Sequence, residues 1–249
     1  MARKNNRPSG TNKRGTSPGA KAVRGMSAGG MSTNLKVTIA VVAVAIVAMG
    51  AALFLTDRGG RSADAGAVAA NDERLVRPDS HRLSTAADGK VTVVEFLDFE
   101  CEACGAAYPG VEKLRAEYAD RITYVVRYFP LPGHRNAQPA ALAVQAAANQ
   151  GRFEAMYTKM FSTQSTWGEQ QKDQTGTFEG FARELGLDLD RYRADLADPA
   201  TAARIEKDKS DGLSLGVTGT PGFFVNGKKF TDRPTFEALK AAVDTNLAG

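Results

Sequence analysis

Two cysteines and two histidines are all that 249 residues contain. So few cysteines exclude a disulfide-stapled mini-protein and any four-cysteine zinc site. So few histidines leave little material for a multi-metal centre. Acidic residues are missing altogether from positions 1–36, and no segment repeats. The composition is otherwise that of a folded protein, 43% hydrophobic and 24% charged, which excludes wholesale disorder and fibrous architecture.

The missing acids make the net charge of +4 an average over two unlike parts. Residues 1–36 carry eight basic side chains (Arg3, Lys4, Arg7, Lys13, Arg14, Lys21, Arg24 and Lys36), and from Asp57 onward 24 basic residues face all 28 acidic ones. The body is therefore mildly acidic, which removes the main support for nucleic-acid binding. Val37–Leu55 is a charge-free run of nineteen residues. As a helix it would span roughly 28 Å, close to a hydrocarbon core of ~30 Å. The basic flank predicts residues 1–36 as a cytoplasmic tail, 37–56 as a transmembrane anchor and the remainder outside the cytoplasm. The tail reads as a topology signal, with contact to anionic lipid as the alternative. A cleaved signal peptide is the rival reading, since Ser62–Ala70 offers small residues to a peptidase. Its apolar region is ordinarily shorter, about 7–15 residues, and its leader shorter than this one. No twin-arginine pair precedes the apolar run, so export of a folded protein is not expected. Residues 57–80 read as a flexible tether, with a short edge strand near His81–Leu83.

Val91–Leu97 is an apolar, β-branched run preceded by Asp88-Gly89, the pattern of a buried strand. It ends before Cys101-Glu102-Ala103-Cys104, and Tyr108, Val111, Leu114 and Tyr118 then keep helical spacing. The cysteines thus fall in the first turn of a helix, where unpaired N–H groups and the helix dipole stabilise a thiolate. Spaced three apart, they can close a small ring, giving one reactive thiol a resolving partner. Cys101 is expected to be exposed and Cys104 covered. Half of a zinc site is the first rival reading, but only His81 and His134 remain as ligands and neither has ligand spacing, so no metal is expected. A static disulfide is the second, and a bridge closing so short a loop adds little stability. Glu95 stands in the middle of the apolar strand. Either the strand is an edge with Glu95 in solvent, or Glu95 is a buried acid of raised pKa that exchanges protons with Cys104. Pro109 inside the helix predicts a kink.

The stretch VVEFLDFECEACGAAYPG, residues 93–110, resembles the active-site segment of the thioredoxin superfamily. Residues 127–161, RYFPLPGHRNAQPAALAVQAAANQGRFEAMYTKMF, resemble its DsbA-like branch, and the likeness covers roughly residues 80–249. The resemblance implies an α/β thioredoxin fold over residues 81–249 with a helical insertion at about 136–213. It makes Cys101 the nucleophile, Cys104 the resolving cysteine and Glu95 the buried acid. It also makes Thr220–Pro221 a cis-proline loop facing the cysteines, whose backbone binds an extended substrate strand; an ordinary turn proline is the alternative.

The rest of the sequence fits. Ile122–Phe129 reads as a second core strand, parallel to the first. Pro139–Gln150, Phe153–Phe161, the Phe178/Phe181/Leu185 and Leu189/Tyr192/Leu196 sets and Thr201–Leu213 read as helices whose Met and aromatic stripes are core. Asn226-Gly227 between Phe223–Val225 and Lys229–Phe230 signals a hairpin, and Pro234 opens a last helix. Glu102, Ala103 and His134 are possible neighbours of the site, with a hydrogen-bonded loop histidine the plainer reading of His134. Trp167 stands in a polar loop without an assignable role.

The function expected is extracytoplasmic thiol–disulfide exchange, introducing disulfides into exported cysteine-containing proteins. No bound cofactor is required. Reoxidation would come from a membrane redox partner, a quinone-linked DsbB-like protein or a vitamin K epoxide reductase homologue. A monomer is expected, because the tether has no room for a dimerisation module. The alternatives are a reductase of the same fold and, from another class, a non-catalytic client-binding or holding factor. Where the strongly oxidising DsbA type has Pro-His between its cysteines, this chain has Glu102-Ala103. Glu100 and Glu102 beside Cys101 should disfavour its thiolate and make a weaker oxidant.

Overall fold

The computed structural model describes residues 68–249. The expected tail and anchor at 1–56 lie outside that span. No helix among the described residues is long and apolar enough to cross a membrane.

Five strands form one sheet in the order β1-β3-β2-β4-β5, with β1 at His81–Ser84, β2 at Thr92–Leu97, β3 at Thr123–Tyr128, β4 at Gly222–Val225 and β5 at Lys228–Lys229. β2 and β3 run parallel, and every other pair is antiparallel. The crossover between the parallel strands is α1, Glu102–Tyr118. Its buried residues Cys104, Ala107, Val111, Leu114 and Tyr118 recur at intervals of three and four, so one face lies on the sheet throughout. The helix runs unbroken through Pro109. Val93, Glu95 and Leu97 alternate with Val94 and Phe96 along β2, so the two sets face opposite sides of the sheet. The first side packs against α1 and the C-terminal helix α7, Phe236–Ala248. The hairpin turn has both central residues at positive φ, Asn226 at 47° and Gly227 at 80°, as the Asn-Gly pair predicts.

The insertion between β3 and β4 holds α2 (Ala137–Ala148), α3 (Phe153–Trp167), α4 (Thr175–Glu184), α5 (Leu189–Ala197) and α6 (Pro199–Ser214). Alanines 137, 140, 141, 143, 146 and 147 of α2 are buried, and their small side chains let α3, α4, α5 and α6 all pack on one central helix. Trp167 is the last residue of α3 rather than a loop residue. It is fully buried, its indole N–H donates to the Met160 carbonyl at 3.2 Å, and its ring meets Phe178 edge-on. Pro234 does not open the last helix; Thr235 caps it, its hydroxyl accepting the Ala238 N–H.

The second side of the sheet buries Val94, Phe96, Val125 and Phe224 with Leu75, Phe129 and Val217. Leu75 belongs to the segment expected to be a tether, which from Val68 on is bound to the domain. The Val68 N–H donates to the Gly227 carbonyl, Arg77 pairs with Asp211 at 2.6 Å, and the fully buried Arg127 reaches the carbonyls of Arg74 and Leu75. Arg127 is itself held by Asp208 and Asp211. Of this segment's charges, Arg77 and Asp79 make long-range ion pairs, with Asp211 and Arg204, while Asp72 and Arg74 pair with each other. Gly212 of α6 rests on this core: a Cβ there would lie 2.8 Å from the Phe129 ring and 2.9 Å from Phe96. Gly212→Ala is therefore expected to lower stability by about 1–3 kcal/mol through overpacking, read as a shift of the urea midpoint. An unchanged midpoint would show that the rings yield freely.

Candidate active site

The sheet delivers the end of β2 to the start of α1, and Cys101 occupies the helix N-cap with extended backbone (φ −64°, ψ 121°). No side-chain hydrogen bond caps this helix. The backbone N–H groups of Ala103 and Cys104 are left to favour the thiolate form of Cys101. The Cys101 thiol also lies 3.5 Å from the carbonyl oxygen of Thr220, the residue before the cis peptide bond to Pro221. The cis-proline loop thus faces the cysteines, as expected. It also covers them: Cys101 is only 6% exposed, against 1% for Cys104, so the expectation of an exposed Cys101 fails.

The two sulfurs differ in acidity. The Cys101 pKa is lowered to about 6, first by the hydrogen bond from the Cys104 thiol, then, against the cost of burial, by the Thr220 side-chain hydroxyl and the two first-turn N–H groups. Cys104 is pushed well above its ordinary value by burial, by donating to Cys101 and by the charges of Cys101 and Glu95. Neither flanking glutamate is among the principal influences on Cys101. Glu102 is exposed. Glu100 turns inward, fully buried, and its carboxylate accepts the Asn136 N–H at 2.6 Å.

Glu95 is not on an edge strand. β2 is the central strand, and Glu95 sits in register between Val126 of β3 and Phe223 of β4. It is buried on the face that α1 covers, accepts the Tyr124 hydroxyl at 2.6 Å and interacts electrostatically with both cysteines. Burial, together with the charges of Glu112 and Cys101, outweighs the Tyr124 hydrogen bond and raises its pKa to about 7.

Sequence reasoning missed the residues that hold the cysteine loop. Asp98 is buried; its carbonyl accepts the Cys101 N–H at 3.2 Å, and its carboxylate accepts the N–H groups of Glu100 and Leu131 at 2.8 and 3.0 Å. His134, which the sequence offered as a site neighbour or a hydrogen-bonded loop histidine, joins this centre, its Nδ1 lying 2.6 Å from the Asp98 carboxylate. From the insertion, the Gln164 amide donates to the carbonyls of Phe99 and Cys101 at 2.8 and 2.9 Å. Gly105 makes room for it, since a Cβ there would collide with the Gln164 amide. Asn136 donates onward to the carbonyls of Gln170 and Lys172. Beside Ala103 and Pro221 runs a groove of ≈540 Å³ lined also by Ala106, Ala107, Gly110 and Phe236. Among the described residues no group of three His, Cys, Asp or Glu side chains is arranged to hold a metal ion.

Fold and site together define a thioredoxin-fold protein with a helical insertion and paired thiols at a helix start. The thioredoxin family profile (Thioredoxin_4) matches residues 83–245, and the chain belongs to that family. Among solved structures, a thioredoxin-like oxidoreductase from Silicibacter pomeroyi is 29% identical, with a TM-score of 0.61 over 72% of this chain and 99% of that one. BdbD from Bacillus subtilis shares the fold at 22% identity, TM-score 0.58, over 67% of this chain and 92% of its own. The thiol–disulfide exchange protein α-DsbA2 from Wolbachia pipientis does so at 21%, TM-score 0.59, over 70% and 90%. The fold is that of the DsbA-like oxidoreductases. Among curated proteins, the chain is 43% identical over 176 residues to the Na(+)/H(+) antiporter NhaA 1 of Salinispora arenicola, covering 70% of this chain and 26% of that protein. It spans about a quarter of the length of these relatives, so their transport activity remains theirs.

Proposed function

We propose that the chain is a membrane-tethered, extracytoplasmic thiol–disulfide oxidoreductase that introduces disulfides into exported proteins. The observation that carries this reading is the division between the two sulfurs. One is acidic, at a helix start beneath a cis-proline loop; the other is buried, of raised pKa, and electrostatically coupled to an acid that titrates near neutrality. In the oxidised enzyme a client thiolate attacks the Cys101 sulfur, and the Cys101–Cys104 bond breaks. Cys104 leaves with the electron pair and takes a proton through Glu95. A second client thiolate then attacks the client sulfur of the mixed disulfide and expels Cys101 as a thiolate. The client loses two electrons and the enzyme gains them. The groove beside Pro221 and the Thr220 backbone would seat the client strand. A membrane redox partner, quinone-linked and DsbB-like or a vitamin K epoxide reductase homologue, would restore the disulfide.

The nineteen-residue apolar run and its basic flank support the anchor at 37–56, with the domain outside the cytoplasm. Proteins named as antiporters carry a segment similar to this chain, which agrees with work at a membrane. The test is the redox state of Cys101 and Cys104 in living cells, read by alkylation and mass shift. A predominantly disulfide form is expected; a predominantly dithiol form would assign a reductase instead. Full biological activity of Cys101→Ser would assign a holding factor. With no cation between the cysteines, the reduction potential is expected to lie below that of the enzymes with Pro-His there. A glutathione equilibrium placing it as high as theirs would overturn that expectation.

A further inference from the structure

Glu102 and Ala103, the residues between the cysteines, supply no positive charge. A cationic side chain acting on Cys101 would then come from another element. His134, on the loop leading into α2, is a titratable group that interacts electrostatically with Cys101. Its Nδ1 lies 2.6 Å from Asp98 Oδ2, and its Nε2 lies 3.7 Å from Glu169 Oε1, just beyond the end of α3. Nδ1 is thus hydrogen-bonded to one carboxylate and Nε2 lies within ion-pair distance of a second, surroundings that favour the doubly protonated ring. Asp98 is in turn the residue on which the cysteine loop closes. Its carbonyl accepts the Cys101 N–H, its carboxylate accepts the N–H groups of Glu100 and Leu131, and its own N–H faces the Cys104 sulfur.

On this geometry, and resting on the proposed exchange at Cys101, we infer that His134 is a positioning residue for the attacking sulfur: as an imidazolium bonded to Asp98, with the Glu169 carboxylate nearby, it steadies the loop that presents Cys101 and favours its thiolate. The groups facing the ring are Asp98, Glu169 and the Cys101 sulfur. Burial depresses the His134 pKa, but its bond to Asp98 and the three negative charges prevail and raise it. The support is present while the ring holds its second proton and fades as pH rises through its pKa. An element some thirty residues from the cysteines thereby adds to the support that Cys104, Thr220 and the first-turn N–H groups give the thiolate.

The test is the pH profile of Cys101 alkylation by iodoacetamide in the full chain, wild type against His134→Gln, with folding checked by circular dichroism. The variant is expected to move the midpoint upward, reducing the thiolate-to-thiol ratio about threefold or more at fixed pH. Its reduction potential, from the glutathione equilibrium, is expected to fall with it, since the reduced form loses its support. A folded variant with an unmoved midpoint overturns the assignment. Should the variant not fold, the reciprocal measurement in wild type decides. The His134 ring titration, followed by NMR, must shift downward when Cys101 is capped by alkylation, because coupling between two sites is mutual. An unmoved ring titration overturns the assignment as surely. The alkylation midpoint needs no exchange activity. A chain that never equilibrates with glutathione therefore sinks the oxidoreductase reading while leaving the influence of His134 on Cys101 measurable.

Discussion

Cys101→Ser in the full chain will lower disulfide exchange by about a thousandfold or more, while Cys104→Ser will leave the chain covalently joined to its client. The two outcomes differ because the sulfurs differ. Cys101 alone sits where first-turn N–H groups, the Cys104 thiol and the Thr220 hydroxyl stabilise an anion, and a serine hydroxyl at that place is no nucleophile near neutral pH. Cys104 is buried behind it with a raised pKa. Its task is to leave when the disulfide opens and to attack when a mixed disulfide must be cleared. Without it, Cys101 can still exchange with a disulfide-bearing client, but nothing within the domain expels that client. Non-reducing electrophoresis should show a reducible adduct with Cys104→Ser and none with Cys101→Ser. Equal adducts from both variants would mean that the acidic sulfur is not the one that clients meet.

Glu95→Gln is expected to slow the steps that move a proton to or from Cys104 by about a hundredfold, and at the same time to stabilise the fold at alkaline pH. Glutamine can still accept the Tyr124 hydroxyl, so the packing survives and the acid is lost. The folded chain releases the Glu95 proton near pH 7, the unfolded chain near 4.5. Below about 4.5 both states hold the proton and no difference arises. As pH rises from 4.5 to about 7, the unfolded chain gives up a proton that the folded chain keeps, so stability falls across that window and levels off above it. The full drop corresponds to about 3 kcal/mol. Urea unfolding at pH 4 and at pH 8 should show wild type losing stability between the two relative to Glu95→Gln. Parallel behaviour of the two proteins would mean that the carboxyl is ionised in the folded state at no cost.

Much of this architecture was legible because it is written in local periods. The β-branched run of β2, the three-and-four spacing on α1 and the Asn-Gly turn each declare one element within a few residues. Glu95 was legible as a contradiction, a carboxylate where the pattern demands an apolar side chain, although its place on a central strand needed the sheet order. What stayed hidden depends on partners far along the chain. Asn136 meets Glu100 across 36 positions and Gln164 meets Cys101 across 63, and neither residue breaks any pattern around it. The segment around Arg77 has the composition of a linker, and only Asp211, 134 positions away, reveals it as part of the domain. Trp167 reads as a loop residue without a role because the residues after it are polar, whereas it ends a helix with its indole turned inward. Cys101 was expected in the open because the lid over it, Thr220–Pro221, comes more than a hundred positions later.

The polar grip of the insertion on the cysteine loop bears on how this fold can be recombined. Gln164 holds the carbonyls of Phe99 and Cys101, and Asn136 holds Glu100. A chimera that exchanged residues 136–213 for the helices of a distant relative would keep both cysteines, the acid and the proline, yet carry away the struts that shape the turn between them. The helical block is thus no interchangeable cassette. Grafting it with Asn136 and Gln164 restored, at positions where Gly105 still leaves room for the amide, is the form in which such a transplant would preserve the chemistry.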